Sequence, residues 1–107
     1  GNDAISGGDG NDFLKGQDGD DRLGGGPGDD EVRGSDGQDA VGGDGGNDTL
    51  RGGEGADVLA GGDGDDDLGG GDDDDALSGG PGADACDGND GRGDVADASC
   101  EAVDDVP

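Results

Sequence analysis

The 107-residue chain has no histidine, methionine, tryptophan or tyrosine, one phenylalanine (Phe13), three prolines and five basic residues. Each shortage removes a class of function. Without His or Tyr, acid–base and nucleophilic catalysis lose most of their usual side chains, and no enzyme activity is expected. Carboxylates are plentiful, but no aromatic platform exists for a sugar, which argues against a glycosidase. With no His and only two Cys, both near one end, zinc lacks its ligands. Five basic against 31 acidic residues leave a net charge of −26, which repels phosphate backbones and anionic lipid, so no nucleic-acid partner is expected. No apolar run approaches the roughly 18 residues of a membrane-spanning helix, so no membrane insertion is expected, and no signal peptide is visible. With no Met, Gly1 does not read as a translation start; a processed product, or a piece of something longer, is expected.

What remains is glycine, 31 residues of it, and aspartate. With 24% apolar residues and this net charge, composition alone reads as disorder, because too little apolar area is available to offset chain entropy. The order of the residues says otherwise. A nine-residue unit, G-G-x-G-x-D-x-U-x with U a large aliphatic, repeats in phase from Gly1 to Asp87. Its sixth position is Asp in ten registers: Asp3, Asp12, Asp21, Asp30, Asp39, Asp48, Asp57, Asp66, Asp75 and Asp84. Its eighth is Ile5, Leu14, Leu23, Val32, Val41, Leu50, Leu59, Leu68 and Leu77, with Cys86 closing the series. A solvated acidic tail would fix neither phase. The unit divides into a six-residue turn and a three-residue strand whose middle residue points inward. Gly at positions one and four is expected to serve positive φ. Asp73 at position four reads as a strained turn, and Gln17, Ser35 and Asp44 at position two as a milder change.

Over about four fifths of its length the chain resembles the RTX (haemolysin-type) calcium-binding repeat family. The resemblance implies an all-β fold, a right-handed parallel β-roll (β-solenoid) of about five 18-residue coils with calcium in the turns. Two repeats make one coil, so same-side turns come from every second repeat. One ladder then carries Asp3, Asp21, Asp39, Asp57 and Asp75, the other Asp12, Asp30, Asp48, Asp66 and Asp84, and their aliphatics face each other across a thin core. In the family, calcium sits between successive turns, held by two Asp side chains and turn carbonyls. An all-oxygen set of carboxylates and carbonyls suits this hard, geometrically tolerant cation better than magnesium. Gaps within the ladders give about eight Ca2+, with the first gap at Asp3 less complete, and would bring the charge to about −10. Without metal, carboxylates stacked ~5 Å apart repel by ~1 kcal/mol per pair even in water.

The phase breaks after Asp87: Gly93 takes the expected Asp position and Asp94 comes one late. The division expected is a roll over 1–96 and a cap over 97–107, since repeat arrays need capped ends. Cys86 and Cys100 form an even pair that suggests a disulfide, with free thiols or an intersubunit bond through Cys100 as the rival. Arg92-Gly93-Asp94 matches the integrin-binding tripeptide, as chance produces readily in so Gly- and Asp-rich a chain. Asn47-Asp48-Thr49 is a glycosylation sequon by pattern only, Asp48 being an expected ligand. Positions three and five (Asp9, Asp18, Pro27, Asp36, Gly45 and Asn11, Asp20, Asp29, Gln38, Asn47) form no Thr row of the ice-binding kind.

The function expected is calcium-dependent extracellular structure, secreted or at a cell surface, because extracellular modules bind calcium at ~10⁻⁴–10⁻³ M. Two forms compete. In one, subunits stack head to tail into a filament, with Val103 and Val106 meeting the next subunit's first coil. In the other, the chain is the calcium-folding module of a larger secreted toxin, protease or adhesin.

Overall fold

The computed structural model describes residues 1–89, 94–96 and 100–104. Twelve strands follow the repeat: β1 (Ala4–Ser6), β2 (Phe13–Asp18), β3 (Arg22–Gly24), β4 (Glu31–Asp36), β5 (Ala40–Gly45), β6 (Thr49–Glu54), β7 (Val58–Asp63), β8 (Asp67–Gly71), β9 (Ala76–Ser78), β10 (Asp84–Asn89), β11 (Val95–Ala96) and β12 (Cys100–Asp104). Odd and even strands part into two parallel sheets, β1-β3-β5-β7-β9-β11 and β12-β10-β8-β6-β4-β2. Each strand up to β10 pairs with the strand one coil away, Leu23 opposite Val41 and Leu50 opposite Leu68, an offset of eighteen residues. Among the described residues the fold is all β, a β-solenoid of about five turns.

The eighth-position side chains face inward, and Cys100 joins them in the core. Leu14, Leu23, Val32, Val41, Leu50, Leu59, Leu68, Leu77 and Cys86 are buried, with Ile5 and Ala96 packed partly against them. One residue per strand makes a core two side chains thick, in a molecule whose smallest extent is 13 Å. Many strands are longer than the expected three residues: β2, β4, β5, β6 and β7 run six, through positions one to three of the next turn. The reason is that position one is not a turn residue. Its N–H continues the ladder, Gly7 donating to the carbonyl of Gly24 and Gly25 to that of Gly42.

Positive φ accordingly falls at positions two and four, not one and four. Gln17 (73°), Ser35 (89°) and Asp44 (75°) sit in the left-handed region, as does Asp73 (74°). The substitutions at position two are therefore as strained as the one at position four, at roughly 1–2 kcal/mol each for a residue with a Cβ, somewhat less for Asp. Asp73 keeps its turn intact, its Oδ2 accepting the N–H of Gly55 at 3.1 Å.

The array does not end where the phase breaks. Val95 and Ala96 pair with Ala76 and Leu77 as one more strand of the odd sheet. Cys100–Asp104 pairs with β10 as one more strand of the even sheet, with a register shift between Asp84 and Ala85. Cys86 and Cys100 are joined by a disulfide, Cα atoms 5.7 Å apart. Arg92, Gly93 and Val106 lie outside the described residues, as does most of the expected cap beyond β12.

Candidate metal centres

The sixth position builds the most unusual feature of the molecule. Asp21, Asp30, Asp39, Asp48, Asp57, Asp66, Asp75 and Asp84 are each 1–3% exposed. Every one of them has one carboxylate oxygen in use and one idle. Oδ1 accepts the main-chain N–H of the Asp one coil earlier: Asp48 from Asp30 and Asp66 from Asp48 on one side, Asp39 from Asp21 at 2.8 Å and Asp57 from Asp39 at 2.7 Å on the other. Oδ2 is buried without a hydrogen-bond partner in all eight, and in Asp12. Burying one such oxygen is costly, and a column of them needs a proton or a cation to be tolerable.

Position one is glycine because this oxygen needs the room. A Cβ on Gly7 would lie 2.7 Å from Oδ2 of Asp12 and 2.7 Å from the carbonyl oxygen of Gly25 in the next coil. On Gly16 the same atom would meet Asp21 Oδ2 at 2.6 Å and the Gly34 carbonyl at 2.7 Å. At Gly7, Gly16, Gly34, Gly43, Gly52 and Gly61 the turn is thus a cradle in which a carboxylate oxygen and a main-chain carbonyl from the neighbouring coil converge on space a side chain would fill. Among the described residues no three Asp, Glu, His or Cys side chains gather round one point, so carbonyls have to complete any coordination sphere. An all-oxygen, mainly carbonyl set with one or two carboxylates fits calcium.

Electrostatics point the same way. Burial raises the carboxyl of Asp57 to about 7, with the main-chain hydrogen bond to Asp39 opposing and Asp75 and Asp39 adding repulsion. Burial likewise pushes Asp48 and Asp75 up to about 6. Asp39 and Asp66 move upward for the same first cause.

Of the ten aspartates named from the sequence, nine fall into these ladders; Asp3 is exposed, and contributes its N–H to Asp21 at 2.6 Å. Two features escaped sequence reasoning. Asp94, one residue late, occupies the next ladder slot: it is 3% exposed, its Oδ1 accepts the N–H of Asp75 at 2.7 Å, and its Oδ2 is idle. The signal was Val95-Ala96 after it, an x-U pair with the smaller Ala96 in the inward place. The second is an outer ladder at position five. The N–H of Asp29 donates to Oδ1 of Asn11, Asn47 to Asp29, Asp65 to Asn47 and Ala83 to Asp65, at 2.8–2.9 Å. Its signal was a short Asx side chain at most fifth positions.

The model of the RTX calcium-binding nonapeptide repeat matches the chain in four copies, at residues 1–32, 16–50, 42–77 and 61–95. Neither a curated protein nor a solved structure matches it.

Proposed function

Since the chain belongs to the RTX calcium-binding nonapeptide repeat family, we propose that its turns hold calcium through these carboxylates and that the ion is what completes the fold. Asp12, Asp21, Asp30, Asp39, Asp48, Asp57, Asp66, Asp75 and Asp84 are the proposed side-chain ligands, with turn carbonyls, and Asp3 at the outermost turn. Calcium supplies two positive charges where the chain places buried anionic oxygens, turning cross-coil repulsion into cross-coil bonding. The observation that carries this reading is the column of idle, buried Oδ2 atoms. About eight ions per chain follow from the in-phase gaps.

The working place is extracellular, where calcium is abundant enough to fill weak sites. The role is structural. Head-to-tail stacking is the finer form of this role, and the polarity of the buried ladder supports it: from coil to coil its N–H groups point toward the following coil and its Oδ1 atoms toward the preceding one. The same roll would serve as the calcium-folding module of a larger secreted protein, the reading favoured if stacking fails. Equilibrium dialysis against calcium with magnesium in excess tests the binding. Saturation near eight ions, indifferent to magnesium, is expected; displacement by magnesium, or no saturable binding, would overturn it. Electron microscopy with calcium present separates filaments from isolated particles.

A further inference from the structure

Gly88 is in phase, eighteen residues after Gly70, whereas Asp94 is nineteen after Asp75. One extra residue therefore separates position one from the carboxylate in this repeat. The carboxylate nevertheless shares the burial and the oxygen arrangement of the in-phase ones. Asp94 is 3% exposed, its Oδ1 is bonded to the N–H of Asp75, and its Oδ2 is buried without a partner. A Cβ on Gly88 would lie 2.5 Å from that Oδ2.

What holds Asp94 there differs from the interior coils. An interior aspartate lies between two strands that are each paired on both sides. Asp94 is followed by a strand of two residues, β11, paired with β9 alone. Both flanks of its segment are instead fixed on β10: Cys86 lies within that strand, and Cys100 stands opposite Asp84 in register. The disulfide joins these flanks over a separation of fourteen residues, with Asp94 inside the loop. Cross-linking removes much of the freedom the loop would otherwise lose on ordering.

We infer that Asp75 and Asp94 frame a further calcium site outside the nonapeptide phase, and that the Cys86–Cys100 bridge holds that site together. This rests on the calcium reading of the in-phase turns and adds one ion to it, five gaps in the ladder through Asp94 and four in the other. Asp94 is a ligand; the bridge is a positioning element that touches no ion.

Native mass spectrometry of the whole oxidised chain with calcium counts the ions. Asp94→Asn keeps a carbonyl oxygen for the Asp75 N–H and removes the anionic one. It is expected to carry one ion fewer than the unaltered chain with its β circular dichroism intact, while Asp63→Asn, on an exposed position three, loses none. A thiol reductant converts the bridge to two thiols and is itself oxidised to a disulfide. The reduced chain is expected to lose the same single ion, and reduced Asp94→Asn no more than that. An unchanged count in Asp94→Asn, while the unaltered chain binds calcium, overturns the site; loss of every ion in that variant overturns it too, making Asp94 a support of the whole fold. A reduced chain that keeps the full count, or loses all of it, overturns the link between bridge and site. No binding by the unaltered chain contradicts the calcium reading itself.

Discussion

Positions five and six of the repeat are neighbours in sequence, both rich in Asp, and both give a side-chain oxygen to a main-chain N–H eighteen residues away. They differ in direction and in depth. Position six reaches back to the preceding coil and is buried, as Asp48 does to Asp30. Position five reaches forward to the following coil and is exposed, as Asp29 does to Asn47. Water solvates the spare oxygen of Asp29, so Asn does as well there, and Asn2, Asn11 and Asn47 occupy that ladder. Nothing solvates the spare oxygen of Asp48, and position six holds Asp in every in-phase register. The residue type is the same; burial of the second oxygen decides which ladder needs a cation.

The sharpest break in that comparison is Asp48→Ala. It removes the acceptor of the Asp30 N–H and the anionic oxygen bordering two gaps, toward Asp30 and toward Asp66. Loss of about two ions is expected, with ~1–3 kcal/mol lost from the calcium-bound fold for the buried N–H alone. Asp63→Ala, at exposed position three, should keep both ion count and midpoint in a calorimetric titration. Equal counts in the two variants would mean the register assigned to the ladder is wrong.

A second difference appears with pH. The carboxyls of Asp48, Asp57 and Asp75 lie near 6 to 7 in the fold against 3.8 for an ordinary Asp, burial being the first cause. In the metal-free state the folded chain therefore binds protons more tightly than the unfolded one, and stability rises as pH falls. The gain begins as pH drops through about 7 and levels off below about 4. Acid should thus partly replace calcium, giving more β signal in chelator at about pH 4.5 than at about pH 8, while calcium affinity weakens over the same range. A metal-free chain equally unstructured at both would contradict the raised carboxyls.

The smallest effect belongs to the outer ladder. Asp29→Asn keeps the Oδ1 that accepts the Asn47 N–H and removes a solvated charge. A stability change within about 0.5 kcal/mol is expected, with an unchanged calcium count. Loss of an ion would move position five among the ligands.

Much of this was legible in the residues. A period of nine with Asp and aliphatic in separate phases marked the core, because only one residue per strand can face inward; the eighteen-residue coil and its two ladders came from the resemblance to the RTX family. The disulfide was legible because the two Cys form an even pair. The function of each glycine was not. Sequence shows that position one is Gly, but φ and side-chain room produce the same letter, and only the approach of Asp12 Oδ2 and the Gly25 carbonyl to Gly7 separates them. Asp94 was hidden for another reason: a strict period rejects a one-residue insertion, yet Val95 and Ala96 after it still pair with Ala76 and Leu77. The outer ladder was passed over because Asn and Asp alternate there with Gln38, Ala56 and Ala83, so it reads as variation.

The idle, buried Oδ2 atoms make one demand above all, that the roll not form at neutral pH without a cation. Far-ultraviolet circular dichroism of the chain at neutral pH, carried from excess chelator through a calcium titration, tests it directly. A disordered spectrum in chelator that gives way cooperatively to a β spectrum with calcium is the expected result; a full β spectrum that persists in chelator, with no calcium left on the protein by elemental analysis, would contradict it.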